Sequence, residues 1–365
     1  MDFLDFSLNS ILRLGKDNLA APPGIDLNPE IDKPPASGVV TITAIDFSKE
    51  QVEQKKFKNV KQLIESPKPD WATTRWIDIQ GVNAYTVSRI KNHFNIHTLA
   101  AEDALNIPQR QKVEDYEGTL FIILRMLQIA ESNLVNEQVS FFFLGDIVIT
   151  QQETQGDIWE PIRERINRDG SRLRGLGAPY LLYALIDAII DHVFPILDNY
   201  YDLIDALERE ILTNPQKDAQ SRIYSVKRDL AYLRQSLWPM RDISGELYRN
   251  ELNILSKRVT PYFRDVQDHS LQAIEAVEMY LENAKGLQDL LMNANSNRMN
   301  EVMKALTIMA SLFMPITFFA GLYGMNFEHI PELGWKYSYP VFLSVCGITT
   351  VSLLIYFKRK GWIGS

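Results

Sequence analysis

Residues 305–325 read ALTIMASLFMPITFFAGLYGM, and no charge falls between Lys304 and Glu328. About twenty apolar residues, at ~1.5 Å of rise each, cover the ~30 Å hydrocarbon core of a bilayer. A second uncharged run, YSYPVFLSVCGITTVSLLIYF at 337–357, is bounded by Lys336 on one side and by Lys358, Arg359 and Lys360 on the other. Two adjacent runs of this length predict a pair of transmembrane helices in preference to a helical hairpin buried in a soluble core. The basic cluster after the second run, with Arg298 and Lys304 before the first, puts both flanks in the cytosol and leaves only residues 327–336 outside. Pro315 is compatible with a span, because membrane helices accept proline more readily than soluble ones.

Upstream, Pro261 fits the first turn of a helix, and Pro315 is the one strong breaker between it and Tyr323. Sixty-odd residues at roughly 1.5 Å each make a rod of about 90 Å, longer than a single globular domain. Residues 261–304 are therefore predicted as a stalk helix that continues into the first span at 305–326. An external loop at 327–336, a second span at 337–357 and a basic cytosolic tail at 358–365 complete this end.

The N-terminal part reads differently. Pro22, Pro23, Pro29, Pro34 and Pro35 lie in sequence without hydrophobic periodicity, so residues 1–38 are expected to form a flexible arm. A β-branched run at 39–45, alternation at 75–79, an apolar segment at 120–129, and runs at 139–144 and 147–150 around Gly145 and Asp146 predict strands, the last two as a tight hairpin. From Asp157 onward the pattern is helical, so residues 39–260 are predicted as a cytosolic domain, α/β first and helical later. The fold class is thus α+β with a membrane part: a cytosolic α/β domain, then a long stalk helix continuing into the first of two C-terminal spans. Pro239 is expected to end or bend one of the helices. Over 180–211, Asp187, Asp191, Asp198, Asp202 and Asp205 recur at helical spacing and are expected on one negative face, which solvation alone could explain.

The 365 residues carry a formal charge of −8, which argues against nucleic-acid binding, since that depends on basic side chains neutralising phosphates. Acidity suits cationic partners better. Cys346 is the only cysteine, which excludes an internal disulfide and any multi-cysteine metal site. The first residues include Asp2 and Asp5 and no early basic residue, unlike a cleaved secretory signal, so most of the chain is expected in the cytosol.

Two helices cannot enclose a wet path for an ion, so the hairpin is either a plain anchor or one part of an assembly of several chains. Along the first span, Asn300, Met303, Thr307, Ala310, Met314, Thr317, Gly321 and Gly324 step by three or four and form one stripe. Small and polar side chains on one face suit a lumen-lining helix, and they equally suit a small-residue packing seam.

Tyr323-Gly324-Met325-Asn326-Phe327 lies at the outer end of the first span, before a short loop with Glu328 and Glu332, a further span and a basic tail. Gly-Met-Asn in this position resembles the CorA family of magnesium and cobalt transporters. The resemblance extends through Ser296-Asn297-Arg298-Met299-Asn300-Glu301-Val302-Met303-Lys304, Pro261-Tyr262-Phe263-Arg264-Asp265-Val266 and Glu102-Asp103, and covers nearly all of the chain past the first forty residues. It implies a homo-oligomer, a pentamer, in the cytoplasmic (inner) membrane with both termini cytosolic, passing Mg2+, with Co2+ and Ni2+ as further cargo.

Gly324, Met325 and Asn326 would form the selectivity filter. Asn300, Met303, Leu306, Thr307, Ala310, Met314, Thr317 and Gly321 would line the pore, with Met303, Leu306 and Met314 as an apolar constriction. Mg2+ dehydrates reluctantly, so rings of neutral oxygens can hold the hydrated ion weakly enough to release it. Glu328 and Glu332 would concentrate cations at the outer mouth. The resemblance further implies regulatory Mg2+ between subunits at Asp103 and Asp265, assisted by Glu102, Asp187 and Asp268.

An enzyme with a membrane anchor is the first rival. The chain has no phosphate-cradling glycine loop, no His-Glu-x-x-His helix and no activated nucleophile motif. Its histidines, His93, His97, His192, His269 and His329, are scattered; the spacing of His93 and His97 allows a shared helical face, with ordinary packing or surface placement the expected role. A relative exporting Zn2+ or another divalent ion is the second rival.

Overall fold

The computed structural model describes residues 30–36, 38–130, 133–249, 254–326 and 330–363. They fall into two units, one formed by the described residues through Ala206 together with Tyr224–Lys285, the other by Leu207–Ile223 and the residues from Gly286 on.

β-Branched and aromatic residues build the first unit around a seven-stranded mixed sheet. Its strands are β1 (Thr41–Phe47), β2 (Val52–Phe57), β3 (Thr74–Gln80), β4 (Lys112–Tyr116), β5 (Thr119–Ala130), β6 (Asn133–Phe143) and β7 (Ile147–Gln152). The order is β2-β1-β3-β7-β6-β5-β4. Only β3 and β7 run parallel, with Ile77 opposite Ile149; the other neighbours are antiparallel. Gly145 adopts a φ of 78° in the β6–β7 hairpin, the left-handed conformation its position in the turn requires.

Helices α1 (Val60–Ile64), α2 (Ala84–Phe94) and α3 (Thr98–Leu105) supply Leu63, Ile90, Ala100 and Ala104 to a core with Ile42, Ile77, Phe121, Phe142 and Ile149. Helices α4 (Glu160–Asn167), α5 (Arg172–Leu176) and α6 (Ala178–Asp191) follow, and α6 packs on β3, β5, β6 and β7. Trp159 Nε1 donates to Leu185 O at 3.1 Å, and its ring meets Trp76 edge-on at 5.9 Å. With helices against it, the sheet's central strands are nearly continuously buried, as in β3, where only Gln80 is partly exposed.

The acidic residues predicted over 180–211, Asp187, Asp191, Asp198, Asp202 and Asp205, are all partly or fully exposed. α6 ends at Asp191 and α7 (Val193–Thr213) begins after His192. Pro195 has no N–H to give the Asp191 carbonyl four residues back, and its ring crowds that carbonyl, which accounts for the interruption. Pro239, by contrast, does not end its helix: α8 (Ala219–Arg249) runs through it. Leu237, Met240 and Ile243 around it are buried, so packing holds the helix despite one missing hydrogen bond.

A single helix, α9 (Thr260–Tyr323), runs for 64 residues, followed by a 3-10 turn (Pro331–Gly334) and α10 (Ser338–Arg359). Three helical segments are long and apolar enough to cross a membrane, and burial separates them. The apolar window of Ala178–Thr213 is 67% buried, as for core helices, whereas those of α9 and α10 are 0% and 6% buried. Helices this apolar and this uncovered need a non-aqueous surrounding.

In the second unit, Ile308, Leu312, Pro315, Ile316 and Phe319 of α9 are partly buried, and the Tyr323 ring meets Phe342 of α10 at 5.8 Å. The hydroxyls of Ser344, Thr349 and Thr350 donate to the carbonyls four residues back, each at 2.8 Å, so they are satisfied within their own helix.

Candidate cation sites

Carboxylates gather where α6 meets the first turns of α9. Asp187 and Asp191 lie one turn apart on α6, and Asp265 and His269 lie one turn apart on α9. His269 Nδ1 is 3.0 Å from Asp191 Oδ1, and its Nε2 is 4.0 Å from Asp265 Oδ1. Tyr183 donates its hydroxyl to Asp187 Oδ2 at 3.1 Å, while Asp187 Oδ1 is buried with no hydrogen-bond partner. Burial, and then the Asp191 charge, push the Asp187 carboxyl up to about 6. Tyr183, buried beside Asp187, is pushed well above its ordinary range.

One oxygen or nitrogen from each of Asp187, Asp191 and His269 fits within a 4.8 Å span. Carboxylate oxygens suit Mg2+, and the imidazole adds a donor that Co2+ or Ni2+ accepts more readily. The orphaned oxygen of Asp187 fits a cation that no described residue supplies, since an unpaired buried carboxylate oxygen is costly.

Of the regulatory residues expected from sequence, Asp187 belongs to this trio, and Asp265 lies beside it, 4.0 Å from His269 Nε2. Asp268 is exposed on α9 and is not among the grouped ligands. Asp103 lies elsewhere, on α3, and its carboxylate is paired with Lys112 at 2.7 Å. Glu102, its neighbour on α3, is half-buried. The sequence-based set omitted Asp191 and His269. Each sits four residues from an expected ligand on the same helix, a spacing that could have drawn them in. His93 and His97 do not share a helix: His93 is in α2, and His97 caps α3 by accepting from the Leu99 N–H at 3.3 Å.

At the other end of α9, Asn300, Met303, Leu306, Thr307, Ala310, Met314, Thr317 and Gly321 are all exposed, as are Gly324, Met325 and Asn326. The Thr307 hydroxyl donates to Met303 O at 2.7 Å. Gly324 N donates to Ala320 O at 2.9 Å, and a Cβ at Gly324 would meet that oxygen at 3.0 Å, so a larger residue would press on the final turn. Asn326 follows with its carboxamide exposed. Glu332 is exposed in the 3-10 turn; Glu328 and His329 lie outside the described residues.

A mixed α/β domain followed by a 64-residue helix with an uncovered apolar end and by a second uncovered apolar helix defines an integral membrane protein with a large α+β domain. Residues 71–359 match the family described as CorA-like Mg2+ transporter protein. The cobalt/magnesium transport protein CorA of Thermotoga maritima is 42% identical over 325 residues, covering 88% of this chain and 92% of that protein. A putative metal ion transporter of Bacillus subtilis, YfjQ, is 31% identical over 89% of this chain and 98% of its own length. In fold, the complete CorA magnesium transporter structure from Methanocaldococcus jannaschii superimposes with a TM-score of 0.73 at 21% identity, covering 88% of this chain and 98% of that one. The full-length CmaX structure gives 0.67 at 19% identity, over 89% and 98%. The chain belongs to the CorA-like Mg2+ transporter family, whose members are transporters and not enzymes.

Proposed function

We propose that the chain is one subunit of a homopentamer that conducts hydrated Mg2+, with Co2+ and Ni2+ as further cargo, into the cytosol across the cytoplasmic membrane. One observation carries the reading. The small and polar stripe of α9 is exposed, while Ile308, Leu312, Pro315, Ile316 and Phe319 are partly buried, so the stripe is free to face a shared axis. A packing seam with α10 would have required the reverse. The relatives named as cobalt/magnesium transporters support the choice of cargo.

In this reading Asn326 carboxamides and Gly324 carbonyls form the outer ring of oxygens, and Asn300 forms the inner one. Neutral oxygens bind the water shell of the ion without holding the ion itself. Met303, Leu306 and Met314 narrow the path between them. Both termini are cytosolic, and Glu332 faces outside. Cytosolic Mg2+ bound at Asp103, Asp265, Asp187 and their neighbours would neutralise clustered carboxylates and favour the closed state, which requires tighter binding to that state than to the open one. Mg2+ flux into liposomes containing the purified protein tests the reading: ion-selective uptake supports it, and a sealed bilayer at every internal Mg2+ concentration refutes it.

A further inference from the structure

The carboxylate of Asp103 already has a cation. Lys112, the first residue of edge strand β4, places Nζ 2.7 Å from Asp103 Oδ2 and 2.5 Å from Glu114 Oε2. The same ammonium lies 5.9 Å from the centre of the Phe121 ring. Tyr116 donates its hydroxyl to Glu114 Oε2 at 2.9 Å, and its ring stacks on His97, the cap of α3, at 4.4 Å. These contacts pin β4 to α3 and give the ammonium a defined seat between two carboxylates.

We propose that Lys112 is a built-in competitor for the regulatory cation and sets the Mg2+ concentration at which Asp103 becomes engaged. The inference rests on the reading of Asp103 as a regulatory ligand. A carboxylate pair that seats an ammonium presents the hard oxygens a divalent cation also needs, so the residues fit Mg2+. The two cations repel, and Mg2+ must either displace Nζ from Asp103 or bind against its charge. Glu114 offers Nζ a second carboxylate, and the flexible four-carbon stem of lysine lets the ammonium shift toward it. The exchange raises the Mg2+ concentration at which the site is engaged.

The test is a MgCl2 titration of the full-length protein in detergent at constant ionic strength, reading the unfolding temperature. Removing one positive charge at this distance from a divalent ion should lower the half-maximal Mg2+ concentration about tenfold in Lys112→Gln. Lys112→Arg, which keeps the charge, should stay within about threefold of wild type, and Asp103→Asn should need more Mg2+. Should Lys112→Gln fail to fold, Lys112→Met, which keeps most of the aliphatic stem, carries the same comparison. A midpoint for the neutral variants equal to or above wild type, with Asp103→Asn raised as expected, overturns the role of Lys112 alone. A wild-type protein without any Mg2+ response, or an Asp103→Asn midpoint equal to wild type, overturns the regulatory reading and this inference with it.

Discussion

His269 Nδ1 lies 3.0 Å from Asp191 Oδ1, joining the early part of α9 to the end of α6 beside the partnerless oxygen of Asp187. α9 continues unbroken from Thr260 to Tyr323, so the helix that carries His269 also carries Asn300. An imidazole ligand favours Co2+ over Mg2+. His269→Ala is therefore expected to weaken stabilisation by Co2+ about tenfold or more and stabilisation by Mg2+ only severalfold, as measured by unfolding temperature against metal concentration. Equal losses for the two ions would remove His269 from the ligand set.

The two faces of α9 can be told apart chemically. In a Cys346→Ser background, Thr317→Cys and Met314→Cys are expected to react with a membrane-impermeant thiol reagent and to lose Mg2+ flux when modified. Ile316→Cys, on the partly buried side, should react far more slowly. Matching rates for all three positions would place the stripe in lipid or in a dry seam.

Stability of the soluble domain depends on a buried ion pair. Arg75 Nε and Nη2 donate to the two carboxylate oxygens of Asp46 at 2.6 and 2.7 Å, and Arg75 also donates to the carbonyls of Ser66 and Pro67. Asp46 is 1% exposed, so Arg75→Ala leaves a buried carboxylate unpaired, at a cost of about 3–5 kcal/mol. Unfolding of the purified variant should show a large loss, and replacing Asp46 by Asn in the same chain should recover part of it.

Asp78 sets a pH dependence. It is buried on β3, donated to by Thr150 at 2.9 Å, by Arg163 at 2.9 Å and by Gln80 at 3.0 Å, with Asp157 and then Glu160 as the other carboxylates on Arg163. Burial, and next the Asp157 charge, raise its carboxyl to about 6 against the pull of Arg163. Between an ordinary carboxylate value and about 6 the folded state holds a proton the unfolded state lacks, so this group adds stability as the pH falls through about 6 and removes it as the pH rises. A shift of this size is worth roughly 2–3 kcal/mol. Asp78→Asn should therefore be more destabilising, relative to wild type, at pH 4.5 than at pH 7.5; an equal effect at both would show that Asp78 titrates normally.

Much of this architecture was legible in the sequence, and the gaps have physical causes. Charge-free runs and β-branched segments pointed to α9, α10, β1, β3, β5 and the β6–β7 hairpin, because each buries or exposes apolar surface with a clear period. β2 (VEQKKF) and β4 (KVEDY) went unseen. They are the two edges of the sheet, where charged side chains guard unpaired backbone and blur the alternation that marks a strand. At the candidate cation site, Asp187 was among the residues expected from sequence, whereas the pairing of His269 with Asp191 joins helices 78 residues apart, and its one local signal is the four-residue spacing of each from Asp265 and Asp187. The Lys112–Asp103 pair was hidden for the same reason as β4 itself.

Mg2+ uptake into liposomes containing purified wild-type or Asn326→Ala protein distinguishes a pore with a carboxamide filter from a membrane protein without one. Selective uptake by the wild type and a loss of at least tenfold in the variant are expected, because the outer ring of carboxamide oxygens would be gone. Undiminished, equally selective uptake through the Asn326→Ala protein would contradict the carboxamide filter.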